Sequence, residues 1–468
     1  VPGGTAQIEG GLLGADAVYG GTNDDDSSGV MRYVRIEFPG IAYQPNNEIN
    51  GLTMGGVGRK TIIENIQVSY SGDDAFEWFG GTVNGKYLIT HRAWDDDFDT
   101  DFGYSGKIQF ALSIRDAAIA DQSQSNGFES DNDGTGTGNT PITAPLFSNV
   151  TIIGPKENGT PAALYRRAMH LRRNTRTSVY NSVFMGYPTG LHIDGSAAQG
   201  NATNNLMQLE NVVLANMTNN FEQTSGANTW TGMDAYFNSA SRGNQTFAST
   251  SSLGLSPGYN SLTNPALLPT SGSILLSGAS FTNTRLTDPF FMPVNHRGAF
   301  GTWNWAAGWS NFNPNQADYS ITSEVPVTAD ITTNTTWTKD KVYILNGYRY
   351  VKDGATLTIE PGTVIRGDKA SKGTLIIART GKINAVGTQC EPIVFTSNEP
   401  VGSRTYGDWG GVVILGSALI NVPGGTAQIE GGLLGADAVY GGTNDDDSSG
   451  VMRYVRIEFP GIAYQPNN

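Results

Sequence analysis

The chain has 468 residues, only 15% of them charged, and a formal net charge of −14. Phosphate recognition needs a basic footprint, so nucleic acid is excluded as a partner, and the acidic balance suits metal cations or basic groups. With 60 glycines and 38% hydrophobic residues, many short strands and tight turns are predicted rather than helices. Aromatic and β-branched residues recur throughout, which excludes disorder.

In chain order, the first feature is a repeat. Residues 1–47, VPGGTAQIEGG through AYQPNN, return unchanged at 422–468, a period of 421 residues. Val1 falls inside patterned text, so the numbering is expected to be a rotated window on a longer head-to-tail array. Short strands follow in MRYVRIEFPG, ENIQVSYSGDD, SNVTIIG, YNSVFMG and ENVVLANM. Asn65, Asn149, Asn181 and Asn211 hold the same place in four of them, spaced by 84, 32 and 30 residues. Fixed strand signatures with rungs of roughly 20 to 32 residues predict coils of a right-handed parallel β-helix. Each asparagine is either a member of an amide ladder or a turn former.

Residues 1–220 are thus predicted as middle coils, and 221–319 as irregular C-terminal coils with an aromatic cap. WTGMDAYFNSASRG reads as one short helix. HRGAFGTWNWAAGWSNFNP concentrates Phe300, Trp303, Trp305, Trp309 and Phe312, which suits a plug over the open end of a coil stack. A sugar platform is the alternative. The polar, Thr-rich stretch 320–340 reads as an extended connector. Strands resume over 341–421 in KVYILNGYRYVKDGATLTIEPGTVIRG, GTLIIARTGKINAVG, PIVFTS and GGVVILGSALIN, the first coils of the next unit. The lone Cys390 allows no disulfide within one copy, and no apolar run reaches the length of a membrane span.

TLTIEPGTVIRGDKASKGTLIIARTGKINAVGTQCEPIVFTS, DWGGVVILGSALINVPGGTAQIEGG, GVMRYVRIEFPGIAYQPNNEINGLTMGGVG, VSYSGDDAFEWFGG, WDDDFDTDFGY, NGFESDND and RAMHLRRNT together resemble the secreted or surface-associated right-handed β-helix proteins of Bacteroidota. The likeness implies an all-β solenoid at the outer cell surface or outside the cell. It implies no activity, because fold does not fix function.

The stretch AWDDDFDTDFGY is the first candidate site. Asp97, Asp99 and Asp101 alternate before a glycine, and Asp95 and Asp96 add oxygens, so Asp95, Asp97, Asp99 and Asp101 are candidate calcium ligands. The competing reading is a solvated acidic turn or pairing with Arg92. A second acidic set is Glu129, Asp131 and Asp133. Asp73, Asp74 and Glu77 are placed on a candidate glycan groove with His170 and Arg172, which share a strand face by alternation. The arginines of YRRAMHLRRNTR are expected chiefly to pair with carboxylates. The histidines 91, 170, 192 and 296 look scattered, and no catalytic residue is assigned.

Two functions are carried forward. In the first, the chain is a unit of an extracellular filament, partnered by copies of itself. Thr328, Asp330, Trp337, Trp303, Trp305 and Trp309 lie at the contacts, and the 320–338 segment donates a strand to its neighbour. In the second, it is a calcium-dependent polysaccharide lyase or hydrolase, or a glycan-binding surface protein.

Overall fold

The computed structural model describes residues 6–7, 18–40, 42–44, 47–223, 230–317, 323–420, 422–428 and 435–463. Two compact units are present: Ala75–Ala307, and Gly3–Asp74 joined with Gly308–Asn468. Both are built from short strands stacked in parallel, as expected of a β-helix.

In the Ala75–Ala307 unit one sheet stacks Asn84–His91, Lys107–Ile114 and Leu146–Ile153 in parallel register. It continues through Val183–Met185 and Val213–Ala215 to Gln245–Phe247. A second sheet stacks Phe76–Phe79, Phe98–Asp101, Phe128–Ser130, Arg167–Leu171, Thr189–Ile193 and Asn219–Phe221. Its register pairs Phe76, Phe98, Phe128, Met169, Leu191 and Phe221. The rungs are therefore 22, 30, 41, 22 and 30 residues long, and loops absorb the variation.

The core fills the space between the sheets. Phe128 meets Phe147 at 4.7 Å and Phe184 edge-on at 5.4 Å, and Trp78 stacks on Tyr104 at 5.2 Å. Such ring pairs add roughly 0.5–1.5 kcal/mol beyond the area they bury.

The asparagines turn out to be corner residues. Asn149, Asn181 and Asn211 have φ of 58°, 53° and 56°, the left-handed region that asparagine tolerates best among residues with a Cβ. The amides of Asn149 and Asn181 bond a segment running along the flank of the coils. Asn149 Nδ2 donates to the His296 carbonyl at 2.9 Å, and Asn181 exchanges bonds of 2.8 and 3.0 Å with Ser280. Gln109, beside another corner, exchanges bonds of 2.7 and 2.8 Å with Met292. The aromatic stretch belongs to this flank. Phe300 stacks on Trp305 at 4.8 Å, Tyr87 meets Trp303 and Trp305 at 5.8 and 5.4 Å, and the Ala299 amide donates to Thr151. It covers a side of the solenoid, where the sequence suggested an end plug. The predicted helix is short, Met233–Phe237.

In the other unit the segment expected as a connector is itself a coil. Its residues 320–322 lie outside the described residues, but Glu324–Val327 pairs with Val342–Leu345 and Thr335–Trp337 pairs with Thr356–Ile359. Trp337 is buried and stacks on Tyr343 at 4.7 Å. The Thr328 carbonyl accepts from Arg349 at 2.7 Å, and Asp330 pairs with Lys352 at 3.2 Å. These groups hold their own coil together, and among the described residues Glu324–Val327 and Thr335–Trp337 are paired within it. Trp309 packs edge-on against Tyr33 at 6.0 Å.

The two copies of the repeat are neighbours in this unit. Gly450–Glu458 stacks on Ile393–Ser397 on one side and on Val30–Glu37 on the other, and Val30–Glu37 then pairs with Ile62–Ser69. The register puts Met31 on Met452, Arg35 on Arg456 and Glu37 on Glu458, so each residue lies on its own duplicate. Tyr33 stacks on Tyr454 and Phe38 on Phe459, both at 4.4 Å. In this unit Ile393–Ser397 thus stacks on Gly450–Glu458, and Val30–Glu37 follows it.

Candidate functional site

On the second sheet of the Ala75–Ala307 unit, Phe76, Phe98, Phe128 and Leu191 face the core, so the next residue of each strand faces outward. Register then aligns Glu77, Asp99, Glu129, His170 and His192, one per coil. Coils are spaced by about 4.8 Å, which makes this a continuous column of ionisable groups. Glu222 extends it, since its amide donates to the Leu191 carbonyl at 3.0 Å.

At the acidic end, oxygens of Asp96, Asp99 and Glu129 lie within 4.8 Å of one another. Asp96 is buried and accepts from the Asn126 amide, while Asn126 Nδ2 donates to Glu129 Oε2 at 3.2 Å. Asp99 Oδ1 is buried without a hydrogen-bond donor. Burial, then Glu129 and Asp96, hold the Asp99 carboxyl well above the usual carboxylate range. Burial, then Asp95 and Glu129, do the same to Asp96. Asp101, at the strand end, is pushed up to about 7 by burial and the Asp131 and Asp133 charges against a bond from the Phe102 amide. A hard cation would relieve the repulsion among these carboxylates.

Of the predicted calcium ligands, Asp99 joins this cluster and Asp97 does not. Asp97 points inward, fully buried, and pairs with the equally buried Arg115 at 3.1 Å. Alternation along a strand would keep the two on one face, but Asp97 precedes the strand Phe98–Asp101, where the chain turns into the core. Asp95 receives a bond from the Ser123 hydroxyl, and Arg92 pairs with Asp116. Asp73 and Asp74 belong to the other unit, where the Asp74 carbonyl accepts from the Gly51 amide at 2.7 Å.

The arginines pair with carboxylates, as expected. Arg172 bonds Glu129 and, at 2.8 Å, Asp131; Arg173 bonds Asp131 at 2.7 Å. Arg167 holds Glu222 with two bonds of 2.7 and 2.8 Å.

The pairing of His170 with His192 was the part missed. His170 and His192 are 22 residues apart, one rung, and their rings stack at 5.1 Å with 9° between planes. The signal was present as MHL and LHI, the same apolar-His-apolar pattern in consecutive coils. Burial lowers the affinity of His170 for a proton, but Asp194 and Glu129 outweigh it, and the net shift is upward. Burial and the neighbouring His170 bring His192 down to about 4.

A family model described as pectate-lyase-like beta helix domain matches residues 3–255 and 329–468, so the chain belongs to that family of parallel β-helix proteins. No curated protein and no solved structure matches it. Among the described residues no helix is long and apolar enough to cross a membrane.

Proposed function

We propose that the protein binds acidic polysaccharide through a calcium ion held by Asp96, Asp99 and Glu129, at the cell surface or outside the cell. The observation that carries this reading is the cluster of three carboxylates with a buried, donorless Asp99 oxygen on an outward column of a pectate-lyase-like β-helix. A calcium ion takes six to eight oxygens, so three carboxylates leave positions for the carboxylate and hydroxyls of a uronate sugar. Arg172 and Arg173 border the column and add positive charge for an anionic chain. Cleavage would require a base near the sugar's α-carbon, and no residue is assigned that role.

The test is retention of purified protein on polygalacturonate in calcium and in chelator. Calcium-dependent retention, reduced at least tenfold by Asp99→Asn, is expected; equal retention in chelator overturns the reading. Release of unsaturated uronide in the same tubes would extend it to a lyase.

Assembly with copies of itself is the second reading, favoured by one observation: a coil of this chain stacks in register on its exact duplicate. The same surface offered by another molecule would accept it equally well, giving a non-closing stack. Electron microscopy with mass on a denaturing gel decides it: fibres of single-chain subunits support assembly, and lone particles sink it.

A further inference from the structure

The geometry points to a second metal site, for a borderline first-row divalent ion such as Zn²⁺, formed by His170, His192 and Asp194. It uses different donors from the carboxylate cluster and does not depend on the calcium reading.

Three features of the arrangement carry it. First, the donors converge. His170 Nε2 lies 3.6 Å from Asp194 Oδ2, and His192 Nε2 lies 3.8 Å from Asp194 Oδ1. One donor atom from each residue falls within a 4.8 Å span. Ligands at about 2.0–2.1 Å from a common zinc ion sit roughly 3.3–3.5 Å apart, so small ring rotations bring the set to bonding geometry.

Second, each imidazole is backed on its other nitrogen by a carboxylate. Glu129 Oε2 is 3.4 Å from His170 Nδ1, and Glu222 Oε1 is 4.0 Å from His192 Nδ1. These carboxylates stand close enough that small rotations would form carboxylate–histidine–metal relays, which fix which nitrogen faces the ion and raise its basicity. Glu222 is itself clamped by Arg167, and Glu129 by Arg172.

Third, the donors are preorganised, and His170 is under-used. His170 and His192 are fixed by strand register, and the Asp194 amide donates to the Leu171 carbonyl at 2.8 Å, which pins the turn carrying that carboxylate. Yet both ring nitrogens of His170, a buried residue, lack a hydrogen bond, and their nearest carboxylate oxygens are beyond good bonding distance. A buried polar atom left this way is costly unless something binds it.

Two imidazoles and one carboxylate suit zinc, cobalt, nickel or iron and not calcium or magnesium. Three protein ligands also leave at least one position open, the pattern of sites that bind a water or a substrate group.

The experiment is titration of the chelator-treated full chain with CoCl₂, followed by competition with ZnCl₂ and CaCl₂. One cobalt ion per chain with visible ligand-field bands is expected, displaced by zinc and not by millimolar calcium. His192→Ala should abolish the bands, and Glu222→Gln, which leaves the ligands intact, should weaken binding by about 10–100-fold. Circular dichroism confirms that each variant is folded. Absence of saturable bands in the parent, displacement by calcium, or undiminished binding by folded His192→Ala overturns the proposal.

Discussion

Two in-register stacks of ionisable residues behave oppositely. In the Ala75–Ala307 unit the column changes residue type from coil to coil: Glu77, Asp99, Glu129, His170, His192. Glu129 gains Arg172 and His170 as neighbours, and its carboxyl is held below the usual range although burial opposes this. In the other unit the repeat puts Glu37 directly on Glu458, both fully buried. There burial raises the Glu37 carboxyl well above the usual range; Arg35, 3.2 Å away, opposes this, and Glu458 adds to it. Parallel stacking multiplies whatever a position contains. Aromatic duplicates gain from it, as Tyr33 on Tyr454 and Phe38 on Phe459 show, while carboxylate duplicates lose unless a cation intervenes.

The comparison breaks most visibly where a charge loses its buried counterion. Arg115→Met leaves Asp97 uncompensated in the core and is expected to cost about 3–5 kcal/mol, read from urea unfolding. A loss below 1 kcal/mol would mean that buried charge matters less here than argued.

An effect that is smaller per pH unit comes from His91, fully buried on the Asn84–His91 strand, with Nε2 donating to the Leu262 carbonyl at 2.9 Å. Burial, then Arg92, bring it down to about 3, against 6.5 when exposed. The unfolded chain therefore binds a proton that the folded chain refuses, and stability from this group falls as pH drops from 6.5 towards 3. Each pH unit inside that window costs about 1.4 kcal/mol. Denaturation midpoints of parent and His91→Gln should converge on acidification; parallel curves would contradict the assignment.

The smallest change sharpens the duplicate stack. Glu37→Gln mimics the protonated form that burial favours, so it should stabilise by on the order of 1 kcal/mol at neutral pH. The gain should shrink as pH falls through the raised Glu37 value towards 4.5, because the parent carboxyl then takes up its proton in the folded state. Destabilisation at pH 7 would show that the Arg35–Glu37 pair outweighs the repulsion.

Much of the architecture was legible. Strand signatures ending at glycine or asparagine gave the coils, because a parallel solenoid repeats one local problem: a short strand, then a corner. The asparagine position was visible for the same reason, since few side chains tolerate a left-handed corner. The role of the aromatic stretch and the fate of residues 320–340 were not legible. Bulky rings and polar threonines are used alike on ends, flanks and edges, and nothing local distinguishes these.

The candidate site divides the same way. Its residue types were on view, in the aspartates of AWDDDFDTDFGY and the histidine and arginines of YRRAMHLRRNTR. The sequence by itself determined a stack of parallel coils, its acidic character, and the corners at which the chain turns, all consequences of short-range backbone preference and composition. Tertiary structure alone decided that Asp97 turns inward to Arg115, that Asp99 meets Asp96 and Glu129, and that His170 lies under His192. Rungs vary from 22 to 41 residues with loop length, so which side chains become neighbours is fixed by hydrogen-bond register between coils, a quantity no single strand contains.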